Sequence, residues 1–197
     1  MASVVAMDDS RSESVKPKRV RLKEIIDKKS FSNDKEVTLS SGRKSFMYFN
    51  MKSTMLDNEA SYLIAKEILS LLPAETDFVG GLEMGAVPIV SALCPVSHLE
   101  NRHIQAFFVR KKPKDHGAKK LIEGLVEGQT LEGKNVVVVD DVTTTGNSVV
   151  STFDTLRRLG ANISMVVSIV DRQEGACDLF KKENINFVSL FTASDFS

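Results

Sequence analysis

The sequence predicts an α/β fold, an open and mainly parallel sheet flanked by helices, and three observations predict it. Val136-Val137-Val138-Val139 is an unbroken β-branched run, which marks a strand buried on both faces of a parallel sheet. From about residue 57 onward, strand-like and helix-like segments alternate, the rhythm of βαβ units. At 197 residues the chain can close one sizeable core, and it carries no internal repeat, low-complexity block or interdomain linker.

Residues 1–21 are Ser-rich and then basic, without an apolar signal core, and are expected to form a disordered tail ahead of one domain over 22–197. Asp57 and Asn58 can cap a helix that runs to Leu72 and is ended by Pro73. Phe78-Val79 enters a short apolar strand leading into the turn Gly80-Gly81-Leu82-Glu83-Met84-Gly85, and Ala86 to Leu93 reads as the next helix. Ile104 to Val109 is predicted as one strand, followed by a charged loop from Arg110 to Lys120. Asn147 to Leu159 is a helix with Val149, Val150, Phe153, Leu156 and Leu159 on one apolar stripe, and Gly160 follows as its C′ residue. Met165 to Val170 and Phe187 to Phe191 are further strands. Open parallel sheets bind ligands beyond the carboxyl ends of their strands. The segments to inspect therefore follow Val109, Val139 and Val170.

Composition excludes several classes. Lys+Arg and Asp+Glu both number 26, so no global charge recruits nucleic acid or an anionic membrane. No apolar run approaches the roughly 20 residues of a spanning helix. Lys16-Pro17-Lys18-Arg19 reads as part of a solvated tail rather than an import or nucleic-acid signal. Cys94 and Cys177 lie far apart, without metal-ligand or CxxC spacing, and are expected to be reduced thiols of a cytoplasmic protein. Gly128-Gln129-Thr130-Leu131-Glu132-Gly133-Lys134-Asn135 nearly spells a P-loop, but Asn135 replaces the hydroxyl that would bind Mg²⁺, and the segment precedes its strand instead of following one.

After the four valines come Asp140-Asp141-Val142-Thr143-Thr144-Thr145-Gly146-Asn147-Ser148. Two acids at a strand end face the ligand crevice, and a Thr/Gly turn then opens a helix. Amides at a helix N-terminus, helped by hydroxyls, bind phosphate, while carboxylates accept hydrogen bonds from a sugar diol. Gly146 allows close approach of the backbone. The pattern specifies a sugar phosphate.

This segment resembles the PRPP-binding signature of type I phosphoribosyltransferases. The resemblance implies that Asp140 and Asp141 hold the ribose hydroxyls, that Thr143, Thr144, Thr145, Gly146, Asn147 and Ser148 hold the 5-phosphate, and that Val142 belongs to the same PRPP-binding segment. Arg110-Lys111-Lys112-Pro113-Lys114-Asp115-His116-Gly117 crowds five basic side chains into one loop, as a lid over pyrophosphate would need. It resembles the flexible catalytic loop of orotate phosphoribosyltransferases, which closes over the neighbouring subunit's site. That likeness implies PRPP contacts for Arg110, Lys111, Lys114 and His116, catalytic roles for Lys114, Arg110, His116 and Asp141, and a homodimer with shared active sites. Lys114 is the main electrostatic catalyst on this reading.

Two further segments carry the likeness. Ser41-Gly42-Arg43-Lys44-Ser45-Phe46-Met47-Tyr48-Phe49-Asn50 resembles the family's N-terminal substrate segment, a small hood, with Tyr48 and Phe49 beside orotate. Val170-Asp171-Arg172-Gln173-Glu174-Gly175 resembles its Asp-Arg turn, which places Arg172 against the orotate carboxylate, with Thr144 also touching the base. The resemblance covers about Asp34 to Phe196. It departs from the bacterial pattern at Ser40 and at Met84, where lysines are usual.

The family likeness implies transfer of the 5-phosphoribosyl group of PRPP to orotate, giving orotidine 5′-phosphate and pyrophosphate in pyrimidine synthesis. Mg²⁺ would enter on PRPP, with no direct protein ligand and with Asp141 in reach through water. Asp27-Lys28-Lys29 gives half of the Asp-x-Lys-x-x-Asp array of the decarboxylase found in bifunctional relatives, and the pattern stops at Ser32. The chain length leaves no room for that second domain, so decarboxylation is expected elsewhere. Two alternatives stand beside this reading: transfer to another base, and a PRPP-sensing regulator without catalysis. The loop from Arg110 to Gly117 argues against the first, and the intact Lys114, His116, Asp140 and Asp141 argue against the second.

Overall fold

The computed structural model describes residues 17–34, 36–38, 44–112 and 121–196. Helix α1 (Lys18–Lys29) opens the described chain, and it corrects the expected tail. Leu22, Ile25 and Ile26 are buried at helical spacing, so the turn Lys18–Arg21 belongs to the folded domain. Arg21 adds a forked pair to Glu59, at 2.8 and 2.7 Å. Residues 1–16 lie outside the described residues.

Four short strands follow: β1 (Phe31–Ser32), β2 (Val37–Thr38), β3 (Lys44–Ser45) and β4 (Tyr48–Phe49). β1 pairs antiparallel with β4, and β2 with β3. They form a small N-terminal hood. The one-turn helix α2 (Lys52–Met55) then leads to α3 (Asn58–Leu71). Asp57 caps α3 as its sequence promised: its Oδ1 accepts from the amides of Glu59 and Ala60 at 3.1 and 2.9 Å. Such a cap contributes about 1 kcal/mol.

The sheet is built from β5 (Phe78–Gly80), α4 (Ala86–Leu99), β6 (Gln105–Ala106), the hairpin of β7 (Phe108–Val109) and β8 (Ile122–Glu123), then β9 (Asn135–Thr143), α5 (Asn147–Arg158), β10 (Asn162–Asp171), α6 (Ala176–Lys182) and β11 (Asn186–Thr192). Its order is β11-β10-β9-β5-β6, and every neighbouring pair is parallel. The two faces explain the four valines. Val137 and Val139 pack with the α1, α3 and α4 side, and Val136 and Val138 with Phe153, Leu156 and Phe180 of α5 and α6. All four valines are fully buried.

Three boundaries differ from the sequence expectation. Helix α4 continues past Leu93 to Leu99, carrying Pro95 within it. The expected single strand over 104–109 is two: β6 joins the sheet, and β7 pairs antiparallel with β8 while Val109 keeps a parallel bridge to Leu82. Phe107, 1% exposed, marks the break; its ring packs so close to Gly80 that a Cβ there would lie 2.4 Å away. Strand β9 does not end at Val139 but runs through both acids to Thr143, because β10 pairs with it as far as Thr143↔Asp171. Gly160 has φ of +76° just past α5, as a C′ glycine requires. No helix among the described residues is long and apolar enough to cross a membrane.

Candidate active site

The carboxyl ends of β5, β9 and β10 open on one edge, and a cleft of about 610 Å³ lies there. Its floor is the acid pair. Asp140 accepts from Thr143 Oγ1 at 3.2 Å, and the Val142 amide donates to Asp141 Oδ1 at 3.0 Å. Burial pushes the Asp140 carboxyl up to about 7, helped by the neighbouring Asp141 charge and opposed by Thr143 and Lys111. Burial also raises Asp141, opposed by the Val142 amide, Lys52 and Lys111. The cleft therefore holds two acids that favour a cation or hydroxyl donors.

The glycine-rich turn explains this crowding. A Cβ at Gly85 would lie 2.5 Å from Asp141 Oδ1 and 3.1 Å from Asp140 Oδ1, and one at Gly81 would lie 2.1 Å from the Val139 carbonyl oxygen. Only a bare backbone lets the turn lie against the end of β9. The turn is tied in addition to the base of the charged loop: Glu83 N donates to Val109 O at 2.8 Å, and Lys111 N donates to Glu83 Oε1 at 2.8 Å. The Glu83–Met84 peptide is cis.

Beyond the acids, Gly146 sits at the mouth of α5 with φ of +83° and offers no capping side chain. The N-terminus of α5 is therefore left without a side-chain cap beside the cleft that Gly146 and Ser148 line. Thr143, Thr144, Gly146 and Ser148 line the cleft, as does Val142, whereas Thr145 and Asn147 are not among its lining residues. The Asp-Arg turn is fixed to this segment: Arg172 N donates to Thr143 O at 2.9 Å. The Arg172 side chain, 6% exposed, lies 3.0 Å from Glu174 through Nε and donates to Ser45 Oγ of the hood at 3.0 Å. One arginine thus joins the β10 turn to the hood across the cleft.

The two aromatics of the hood divide their work. Tyr48 is 43% exposed at the cleft. Phe49 also lines it but is 7% exposed, its ring packed 5.2 Å from both Phe31 and Phe196. Lys111 lines the cleft; Arg110 is turned aside, 3.8 Å from Glu123 and donating to Lys112 O. Lys114, His116 and Ser40 lie outside the described residues. Sequence reasoning did not single out Lys52, Leu82 or Glu83, which line the same cleft. For Leu82 and Glu83 the flanking glycines were the available signal; an isolated Lys52 offered none.

Comparisons with known proteins agree with this geometry. Residues 53–192 match the family model described as phosphoribosyl transferase domain. The chain is 52% identical over 179 residues to the orotate phosphoribosyltransferase of Bradyrhizobium diazoefficiens, covering 90% of this chain and 95% of that one. Among solved structures, Mycobacterium tuberculosis orotate phosphoribosyltransferase in complex with Fe(III) dicitrate superposes with a TM-score of 0.76 at 34% identity, covering 92% of this chain and 99% of that one. The same enzyme in complex with PRPP gives a TM-score of 0.72 at 32% identity, covering 91% and 99%. An acid pair at a central strand end, an uncapped helix mouth and a hood arginine bridge are thus found in a chain that belongs to the orotate phosphoribosyltransferase family.

Proposed function

We infer that this chain transfers the 5-phosphoribosyl group of PRPP to orotate, releasing pyrophosphate and forming orotidine 5′-phosphate for pyrimidine synthesis. The observation that carries the reading is the single cleft that joins the acid pair, the open mouth of α5, Tyr48 and Arg172. The 5-phosphate would rest on the amides and hydroxyls from Thr143 to Ser148, including Thr145 and Asn147. The ribose hydroxyls would donate to Asp140 and Asp141. Orotate would lie beside Tyr48 and Phe49, its carboxylate on Arg172, with Thr144 at its edge.

In the reaction the C1–O bond to pyrophosphate breaks as orotate N1 bonds to C1, and the ribosyl group carries positive charge between them. The protein positions both reactants and stabilises charge, and needs no nucleophile of its own. Lys111, Lys114 and His116, with Arg110 released from Glu123, would neutralise the departing pyrophosphate. Among the described residues no three His, Cys, Asp or Glu side chains gather to hold a metal ion. The acidic cleft would suit a Mg²⁺ carried in mainly by PRPP, with no direct protein ligand and with Asp141 in reach through water. That ion would offset pyrophosphate charge. The working unit is a cytoplasmic homodimer in which the loop over 110–117 completes the partner's site.

The test is a spectrophotometric assay following orotate loss with PRPP and Mg²⁺. Orotate should be consumed far faster than uracil, adenine or hypoxanthine; efficient use of one of those with orotate inert sinks the assignment. The shared site is tested by mixing Lys114→Ala with Asp141→Asn protein. Each alone should be nearly inactive. Random subunit exchange should restore activity towards about one quarter of wild type, since only mixed dimers own one complete site. A mixture as inactive as its parts, with exchange demonstrated, places the loop over its own chain.

A further inference from the structure

The cleft contains one cation that the reading above leaves without a task. Lys52 begins α2, directly after the hood strand β4. Its neighbours hold that turn rigidly. Met51, Thr54 and Met55 are buried, Asn50 N donates to Ser30 O at 2.8 Å, and the Ser30 and Thr54 hydroxyls lie 2.6 Å apart. Burial of the 51, 54 and 55 positions leaves Lys52 on the opposite side, exposed and lining the cleft.

Its surroundings are one-sided. Lys52 makes no ion pair among the described residues, and its charge is felt by Asp141 across the cleft. The other cleft cations are differently engaged. Arg172 is enclosed between Glu174 and Ser45, and Lys111 stands at the root of the charged loop. The glycine-rich turn that shares the cleft with Lys52 presents Met84, 56% exposed, and so contributes no cation.

We propose that Lys52 is a binding residue for the pyrophosphate group of PRPP, supplying from the hood the positive charge that the turn over 81–85 lacks. The proposal rests on the PRPP reading of the site. With the 5-phosphate at the mouth of α5 and the ribose on the acids, the pyrophosphate would fall at the end bounded by this turn and Lys52. A flexible ammonium on a rigid turn can follow a polyphosphate without needing a fixed geometry. It also balances Asp141, which a dense anion would otherwise meet unshielded.

The measurement is calorimetric binding of inorganic pyrophosphate, PRPP and ribose 5-phosphate, each with Mg²⁺, together with steady-state kinetics. Lys52→Gln should weaken pyrophosphate and PRPP about tenfold, the loss of one charge-assisted contact, while ribose 5-phosphate and the KM for orotate hold. Lys52→Arg should restore binding, and Met84→Lys added to Lys52→Gln should recover part of it from the facing turn. An unchanged melting temperature in Lys52→Gln excludes a folding defect. The proposal falls if Lys52→Gln binds pyrophosphate as wild type does, or loses ribose 5-phosphate equally. Wild-type protein that binds neither PRPP nor pyrophosphate overturns the PRPP reading itself, and Lys52 with it.

Discussion

Strand β9 can be compared with itself. Its first half, Val136 to Val139, is fully buried between two helical layers, each side chain matched by apolar neighbours. Its second half, Asp140 and Asp141, runs on in the same parallel register beside β10, yet carries two carboxyls raised by burial, Asp140 also by the charge of Asp141. Along the backbone, β10 runs beside both halves, while β5 pairs only with Val136 to Val138. The side chains divide the halves further: four residues gain from leaving water, and two lose by it. The fold holds the second half in place with the stability of the first.

The comparison can be broken by exchanging the effects. Asp141→Asn should show the largest change, a fall in kcat/KM of roughly 10- to 100-fold from one lost charge-assisted contact, with stability held or raised. Val138→Ala should do the reverse, losing about 2 kcal/mol of stability from a buried cavity while kcat/KM stays near wild type. Chemical denaturation and orotate kinetics on both variants would decide it. If Asp141→Asn unfolds the protein, or Val138→Ala silences it, the two halves are not separable.

A smaller effect sharpens the same contrast. The Asp140 carboxyl lies at about 7 in the fold, against a usual value of 3.8. Between these values the folded chain keeps a proton that the unfolded chain has released, so this group's contribution to stability falls as pH rises through the window. Asp140→Asn removes that slope. Its melting temperature should match wild type near about pH 4 and exceed it by about 2–4 °C near about pH 8, roughly 1 kcal/mol in a chain of this size. An advantage that is constant with pH would show that the gain comes from packing rather than from the buried charge.

What was legible in the sequence follows how local its cause is. The four valines, the Asp57 cap and Gly160 each state their structure within a few residues and are found in place; of the apolar stripe of α5, Val149, Phe153 and Leu156 are buried, whereas Leu159 lies past the helix end and is 39% exposed. The first turn of α1, Lys18–Arg21, reads as tail because it is almost wholly basic; only the packing of Leu22, Ile25 and Ile26 against the domain shows that the helix begins there. At the break after Ala106, Phe107 meets Gly80, more than twenty residues earlier, a contact that no local pattern encodes. In the site, the acids and the glycine turn were readable because their chemistry needs them side by side. Arg110 lines up with the charged loop in sequence, but Glu123 of the adjoining strand draws it away. Lys52 reads as any surface lysine until the hood is folded over the cleft.

The strand order has one more consequence, and it concerns assembly in time. β9 is held on one side by β5, from residues 78–80, and on the other by β10, from residues 162–171. The substrate site therefore has no local precursor. A growing chain that has just completed its acid pair still lacks the strand that fixes Thr143 and delivers Arg172, and its valine ladder has an open edge until β10 arrives. Parallel pairings between distant segments form slowly and expose sticky edges while they wait. Recognition of substrate and closure of the sheet thus become the same late event, and a truncated chain ending before β10 has neither.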